Sequence, residues 1–132
     1  MGGEKVDSET IVGPLFVNGS PKTFGDRRTE EPWKRQLSDA IKEECGTREP
    51  AKEKVQVDLN FRVHPPRDPD LDNLIKPCID GVGNALFEQR KGGCSQWDTD
   101  DRWVWRITAE KVRVGSESDE GIEITVRKYP RL

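Results

Sequence analysis

An aspartate stands at every second position of the segment Asp68–Asp72, directly before a stretch whose apolar residues recur at helical spacing. In an extended segment, Asp70 and Asp72 point to the same side. Lys76 follows Asp72 by four residues and therefore lies above it on one face of the predicted helix. Two carboxylates about 4 Å apart repel by about 4 kcal/mol at a surface-like dielectric, and a divalent cation relieves this repulsion. The spacing therefore predicts a metal site with a lysine beside it.

Helix capping and calcium binding can also place aspartates at such positions. Aspartate is favoured as a helix cap, and a carboxylate near a helix N-terminus contributes about 0.3–1 kcal/mol. A calcium loop of the EF-hand type is excluded, because its sixth position is Asn73 rather than glycine and its twelfth is Ile79 rather than glutamate. From this motif alone, a metal site and simple capping both stay open.

A second acidic group, Asp98-Thr99-Asp100-Asp101, precedes a predicted strand. If that strand runs beside the one that ends at Val63, we expect Asp101 to face the turn that holds Asp70. Taken alone, this second group is typical of a solvated turn.

The apolar pattern predicts six elements in the order β-α-β-α-β-β. Alternating apolar residues indicate strands and a recurrence every three or four residues indicates helices, which gives Ile11–Val17, Thr29–Cys45, Lys54–Val63, Asn73–Phe87, Trp103–Val114 and Ile122–Val126. Pro77 has no N–H, so we expect the second helix to start late or to bend there. The short link between the last two strands predicts an antiparallel hairpin, so the sheet is mixed or antiparallel. The fold class is a small single-domain α/β (α+β) protein with two helices.

Composition limits the classes of protein that this chain can belong to. Its 132 residues predict one domain at residues 10–132 after a flexible tail at residues 1–9. Hydrophobic residues make up 32% and charged residues 36%, so homodimerisation is the simplest way to bury more apolar surface. The formal net charge of −3 argues against a generally basic nucleic-acid-binding protein. The three cysteines are widely spaced, which fits neither a disulfide framework nor a zinc site, so we expect a reduced, cytoplasmic setting. No apolar run in the sequence is long enough to span a membrane.

Both acidic groups together give the chain a family resemblance. The run Asp70-Leu71-Asp72-Asn73-Leu74-x-Lys76-x3-Asp80, followed by Asp100-Asp101-x2-Val104, resembles the RusA family of Holliday-junction resolvases. Upstream, Val17-x-Gly19-x-Pro21-Lys22 and Arg27-Arg28 are similar to the first strand and the basic loop of that family. The resemblance covers most of the chain, from about Ile11 to Val126.

The resemblance implies a RusA-like endonuclease domain with a mixed sheet. It further implies a homodimeric, Mg²⁺-dependent endodeoxyribonuclease that nicks four-way DNA junctions symmetrically in recombination and repair. Mn²⁺ is a substitute for Mg²⁺, and no small-molecule cofactor is expected. The metal-binding carboxylates fall on Asp70, Asp72 and Asp101, with Asp100 as an additional candidate, and Lys76 is the catalytic lysine. Asp80 is a supporting or structural residue, with simple exposure on the helix as the alternative.

Charge and ring type indicate which side chains could contact DNA. The candidate phosphate contacts are Lys22, Arg27, Arg28, Arg67, Arg90 and Lys91. Among the tryptophans, Trp97 lies in a predicted loop and is a base-stacking candidate, whereas Trp33, Trp103 and Trp105 are assigned to core packing.

Two alternatives to a junction-resolving enzyme stay open. One is a non-catalytic junction-binding or nucleic-acid-binding protein that retains the fold. The other is a metal-dependent nuclease that acts on other branched DNA or on RNA, because metal-assisted hydrolysis does not by itself select the sugar.

Overall fold

A computed structural model describes residues 9–46 and 48–130, apart from the side chain of Arg27. Residues 1–8 of the predicted tail lie outside the described residues. The secondary structure elements are β1 (Thr10–Asn18), α1 (Arg27–Cys45), β2 (Val55–Val63), α2 (Leu71–Leu86), β3 (Val104–Arg113) and β4 (Gly121–Lys128). Short 3-10 turns at Asp101–Trp103 and Glu117–Asp119 precede the last two strands. The predicted α+β class and the order β-α-β-α-β-β are therefore confirmed.

The four strands form one mixed sheet in the order β1-β4-β2-β3. β4 is antiparallel to both β1 and β2, whereas β3 is parallel to β2. The predicted hairpin between the last two strands is therefore wrong, because β4 lies on the other side of β2. Burial explains this placement: Ile122, Ile124 and Val126 are fully buried in a central strand, while most of β3 is exposed at the sheet edge.

Both helices cover one face of the sheet and run parallel to each other. Lys34 donates to Asp80 over 3.2 Å, and Ser38 donates to Asn84 over 2.6 Å, so successive turns of α1 and α2 are in register. The apolar side chains that recur every four residues along α1 predict one buried stripe: Trp33, Leu37 and Ile41 are buried in the core, and Cys45 packs partly buried against it. No described helix is long and apolar enough to cross a membrane.

The helix α2 begins at Leu71 and continues through Pro77, so of the two alternatives predicted at Pro77, a late start or a bend, the late start is wrong. Pro77 cannot donate a hydrogen bond to the carbonyl of Asn73, four residues earlier. The backbone N–H of Phe24 donates to that carbonyl instead, over 2.9 Å. The loop between β1 and α1 is thereby attached to the first turns of α2.

Candidate functional site

Asp70 and Asp72 stand at the N-terminus of α2 with exposed side chains. Asp70 is the N-cap by its backbone, because its carbonyl accepts hydrogen bonds from the N–H groups of Asn73 (3.1 Å) and Leu74 (3.2 Å). Its carboxylate makes no cap hydrogen bond. Capping therefore does not account for the carboxylate of Asp70, which remains accessible at the positive end of the helix dipole.

The loop that carries these aspartates is held from two sides. Arg67 donates to the carbonyl of Pro21 over 2.8 Å, and Lys111 of β3 donates to the carbonyl of Pro69 and to Asp68 Oδ1, each over 2.8 Å. The hydrogen bond and the charge of Lys111 lower the pKa of Asp68. Asp68 therefore belongs to an ion pair and is not a third member of the Asp70 group.

Glu120, at the end of the acidic turn before β4, is the buried centre of this supporting structure. Its carboxylate accepts hydrogen bonds from Ser20 Oγ (2.5 Å), the His64 N–H (2.8 Å) and the Arg67 guanidinium (3.2 Å). Burial opposes ionisation of Glu120, but these donors outweigh burial and lower its pKa. Sequence reasoning missed this residue, because its partners lie up to 100 positions away along the chain.

Lys76 is bound to Asp80, one turn further along α2. The Lys76 ammonium lies 2.5 Å from Asp80 Oδ1, and the ammonium of Lys34 lies 3.2 Å from Asp80 Oδ2. Asp80 is buried, so the alternative that it is simply exposed on the helix is wrong. Lys34 is buried too and also lies 3.4 Å from Glu30. This network holds Lys76 against the α1 side of α2.

Asp101 lies at the opposite end of the sheet from Asp70. Val55 at the start of β2 pairs with Val104, whereas Val63 at its end pairs with Arg113. β2 has nine residues, and a rise of about 3.3 Å for each of the eight steps between them separates its first and last Cα atoms by about 26 Å. The prediction that Asp101 faces the Asp70 turn within one chain is wrong, because a parallel partner starts where β2 starts.

Asp100 also lies at the end of the sheet away from Asp70. Its N–H donates to the carbonyl of Glu88, just beyond the C-terminus of α2, over 2.9 Å. Magnesium binds its oxygen ligands at about 2.0–2.1 Å, so a single ion cannot reach both acidic groups in one chain. Within residues 9–46 and 48–130, no three His, Cys, Asp or Glu side chains are grouped to hold a metal ion.

The predicted phosphate contacts divide between the two ends of the sheet. Lys22 and Arg67 lie in loops that adjoin the start of α2, and the exposed Arg28 lies in the first turn of α1 at the same end. Arg90 and Lys91 line a shallow cavity of about 680 Å³ together with Asp100 and Asp101 at the other end. The side chain of Arg27 lies outside the described residues. Each acidic group therefore has basic side chains near it.

The tryptophans differ from their predicted roles in one case. Trp33 is buried and Trp103 packs partly buried against the core, as predicted. Trp97 is half-buried, donates to Glu31 over 3.2 Å and has the Lys34 ammonium 4.9 Å from its ring centre. Trp105 is 55% exposed, so its assignment to the core is wrong. The helices cover little of β3, which leaves this ring in solvent.

No protein-family model matches this chain, and no curated protein sequence is significantly similar to it. The function is therefore inferred from the residues and their geometry.

Proposed function

We propose that the protein is a Mg²⁺-dependent endodeoxyribonuclease that acts as a homodimer on four-way DNA junctions and nicks them symmetrically. The observation that carries the proposal is the pair of exposed carboxylates of Asp70 and Asp72, which stand on a braced helix N-terminus where Asp70 makes no side-chain cap. A divalent cation bound by both carboxylates would relieve the repulsion between their charges. The resemblance of the surrounding motif to junction resolvases supplies the substrate class.

The distance between Asp70 and Asp101 leads us to propose that a second copy completes the site. β3 pairs only with β2 in the described part of the chain, so its other edge is open to another strand. Ile107 on this strand is 42% exposed. A long exposed edge with apolar side chains is a template for pairing with a further chain.

The sequence of β3 is self-complementary when two copies pair antiparallel around Thr108. In this register, Arg106 lies opposite Glu110 of the second copy, and Ile107 lies opposite Ala109, each twice by symmetry. Such a pairing would bring the start of one β3 to the end of the other. Asp101 of the second copy would then approach the loop that carries Asp70, which Lys111 fastens to β3.

The chain's own residues have separable roles in this proposal. Asp70 and Asp72 would supply carboxylate oxygens from one copy, and Asp101 would supply them from the other. Lys76, whose ammonium Asp80 holds, would bind the scissile phosphate. A bound Mg²⁺ would polarise the phosphoryl oxygen and lower the pKa of a water molecule.

The variant Asp70→Asn tests the catalytic part of the proposal. It removes a charge that makes no cap hydrogen bond, so we expect the fold and junction binding to persist. Cleavage of a synthetic four-way junction in Mg²⁺ should fall at least about 100-fold, which corresponds to about 2.7 kcal/mol of transition-state stabilisation. Asp39→Asn on the exposed face of α1 is the matched control and should cut normally. Undiminished cleavage by Asp70→Asn would refute the assignment.

Mixing two inactive variants tests whether the site is shared between copies. In a heterodimer of Asp70→Asn and Asp101→Asn, one shared site carries both substitutions and the other carries neither. With random exchange of subunits, about half of the dimers are mixed, so about a quarter of all sites regain activity. Nicking that stays at the level of the separate variants would contradict a shared site.

A binding protein that does not cut is the second candidate, favoured by the position of Asp101 at the opposite end of the sheet from Asp70 within one chain. Assays of the unaltered protein with Mg²⁺ on junction, flap, duplex and RNA substrates separate the candidates. Junction binding without cleavage of any substrate would establish the non-catalytic alternative.

A further inference from the structure

A cavity of about 780 Å³ opens at the end of the sheet where β2 and β3 begin and β4 ends. Its lining residues are Lys52, Glu53, Lys54, Trp103, Lys128, Tyr129 and Pro130. Its size lies within the range of about 300–1,000 Å³ that is typical of small-molecule sites. Trp103 is the last residue of the 3-10 turn that starts at Asp101, so the cavity adjoins the second acidic group.

The aromatic rings at this end of the sheet form an open, angled surface. The ring centres of Trp105 and Tyr129 are 5.8 Å apart, and their planes are inclined by 51°. Trp105 keeps 55% of its surface exposed, although the Lys54 ammonium lies 3.8 Å from its ring centre. Large aromatic side chains bury roughly 150–250 Å² when packed, so an indole left in solvent indicates a binding surface.

The charge of the cavity is opposite to that of the whole chain. Three lysines and one glutamate line it, whereas the formal net charge of the protein is −3. Lys128 is paired with Glu9 (3.1 Å) and Glu53 (3.6 Å), and these carboxylates raise its pKa. Lys52 lies 3.8 Å from Glu88, but both of these side chains are more than half exposed, and Lys54 is exposed too. Solvent screens the Lys52 pair, so both lysines remain accessible to an anion beside the rings.

We propose that this cavity, together with the adjoining ring of Trp105, binds unpaired nucleotides of a single DNA strand, with a base stacked on Trp105 and Tyr129 and its phosphates on Lys52 and Lys54. This inference rests on the proposed function in one respect, since action on branched DNA supplies the strand. Stacking on aromatic rings combined with a basic groove is the mode by which proteins bind single strands without sequence preference. Lysine is depleted in protein–protein interfaces, which favours nucleic acid over a second protein as the occupant.

The position of the cavity gives single-strand binding a role in the proposed reaction. Trp105 lies beside the cavity, in contact with its lining residues Tyr129 and Lys54, and Trp103, which does line it, ends the turn that starts at Asp101. Bases that are already single-stranded cost the least to unstack. Binding there would set the position of the strand relative to Asp101.

Binding of a labelled ten-residue oligothymidine in EDTA tests the proposal without any cleavage. We expect Trp105→Ala to weaken binding about 5- to 150-fold, the range given by a stacking contribution of about 1–3 kcal/mol per base. Trp105→Phe should retain most of the binding, because it keeps an aromatic face. Lys54→Ala should reduce the slope of log K against log salt concentration by about 0.7, the value for one lost phosphate contact on a single strand.

Phe16→Ala is the matched control for these variants. Phe16 is also an exposed ring, 41% accessible, with the Arg62 guanidinium 4.7 Å from its centre, but it lies on β1 at the opposite edge of the sheet. We expect this variant to bind oligothymidine as the unaltered protein does. Thermal unfolding of every variant checks that the fold is retained.

The oligothymidine-binding experiment gives results that can be told apart from those of the cleavage experiment. Unchanged binding by Trp105→Ala would overturn the assignment of the cavity. The proposed pairing of β3 places Trp105 opposite Lys111 of the second copy, so sedimentation of Trp105→Ala is measured beside its binding; a change in sedimentation with unchanged oligothymidine binding would also overturn the assignment. Because the assay contains EDTA, neither result depends on whether Asp70→Asn abolishes cleavage.

Discussion

Replacement of Glu120 by glutamine is the sharpest test of how this fold holds the Asp70 loop. Glu120 is fully buried, and its carboxylate joins the loop after β1 to the loop after β2 through Ser20, His64 and Arg67. Glutamine keeps one acceptor oxygen for His64 and Arg67 but removes the charge that Arg67 faces. The variant therefore removes the charge of residue 120 while it keeps the size and shape of the side chain.

The magnitude follows from the partners of the carboxylate. Hydrogen bonds to charged groups contribute about 1.5–3 kcal/mol. The Arg67 side chain is 36% exposed, so solvent screens this pair and the lower half of that range applies. We expect Glu120→Gln to lower the free energy of unfolding by about 2 kcal/mol. Glu120→Ala also leaves buried hydrogen-bond donors without an acceptor, so we expect it to lower this free energy by about 4 kcal/mol. For a chain of this length, about 2 kcal/mol corresponds to a decrease in Tm of about 7 °C.

The contribution of the Glu120 carboxylate to stability depends on pH, and the direction follows from its pKa. The pKa of Glu120 is lower in the folded protein than its ordinary value of 4.5. Its contribution is therefore complete above about pH 4.5 and is lost as the pH falls through the folded-state pKa. Since glutamine does not ionise, the stability difference between the unaltered protein and Glu120→Gln should be full at pH 7 and should shrink in acid.

Urea unfolding at one protein concentration, at pH 7 and at pH 3.5, measures this difference. Glu117→Gln, an exposed acid in the same turn, is the matched control and should change stability by less than about 0.5 kcal/mol. If Glu120→Gln is as stable as the control at pH 7, the supporting role of Glu120 is refuted. A deficit that is equally large at both pH values would show that the carboxylate charge is not its cause.

Two further predictions concern close packing and thiol chemistry. A Cβ on Gly83 would overlap Thr99 Oγ1, so Gly83→Ala should destabilise the fold by about 1–3 kcal/mol in urea unfolding, whereas Gly115→Ala, which meets no atom within 4 Å, should be nearly neutral. A loss caused by Gly115→Ala as large as that of Gly83→Ala would contradict this. Burial and the charge of a nearby carboxylate raise the pKa of the Cys78 thiol, so at pH 8 a thiol reagent should modify the exposed Cys94 quickly and Cys78 only after unfolding. Fast modification that persists in Cys94→Ser at the rate of the unaltered protein would contradict that assignment.

The sequence by itself determined the elements and the local placement of the first acidic group. The order β-α-β-α-β-β, the buried stripe of α1 and the position of Asp70 at a helix start all follow from residues within a few positions of one another. Such features depend on backbone preference and on periodicity, which neighbouring residues set together. The acidic composition also indicated a turn before β3, although it did not indicate that Thr99 in this turn is buried.

Only the tertiary structure decided which strands are neighbours, and this determined where the second acidic group lies. β4 takes the central position because its apolar side chains gain more from burial than those of β3, and the chain must then cross the end of β2. The parallel pairing of β3 separates Asp101 from Asp70, and its edge position exposes Trp105. The sequence also did not indicate that Glu120 holds the Asp70 loop, because its partners lie far from it along the chain. The strand order and the positions of these side chains depend on which segments, far apart in the chain, gain most from burial. A local sequence pattern cannot predict that.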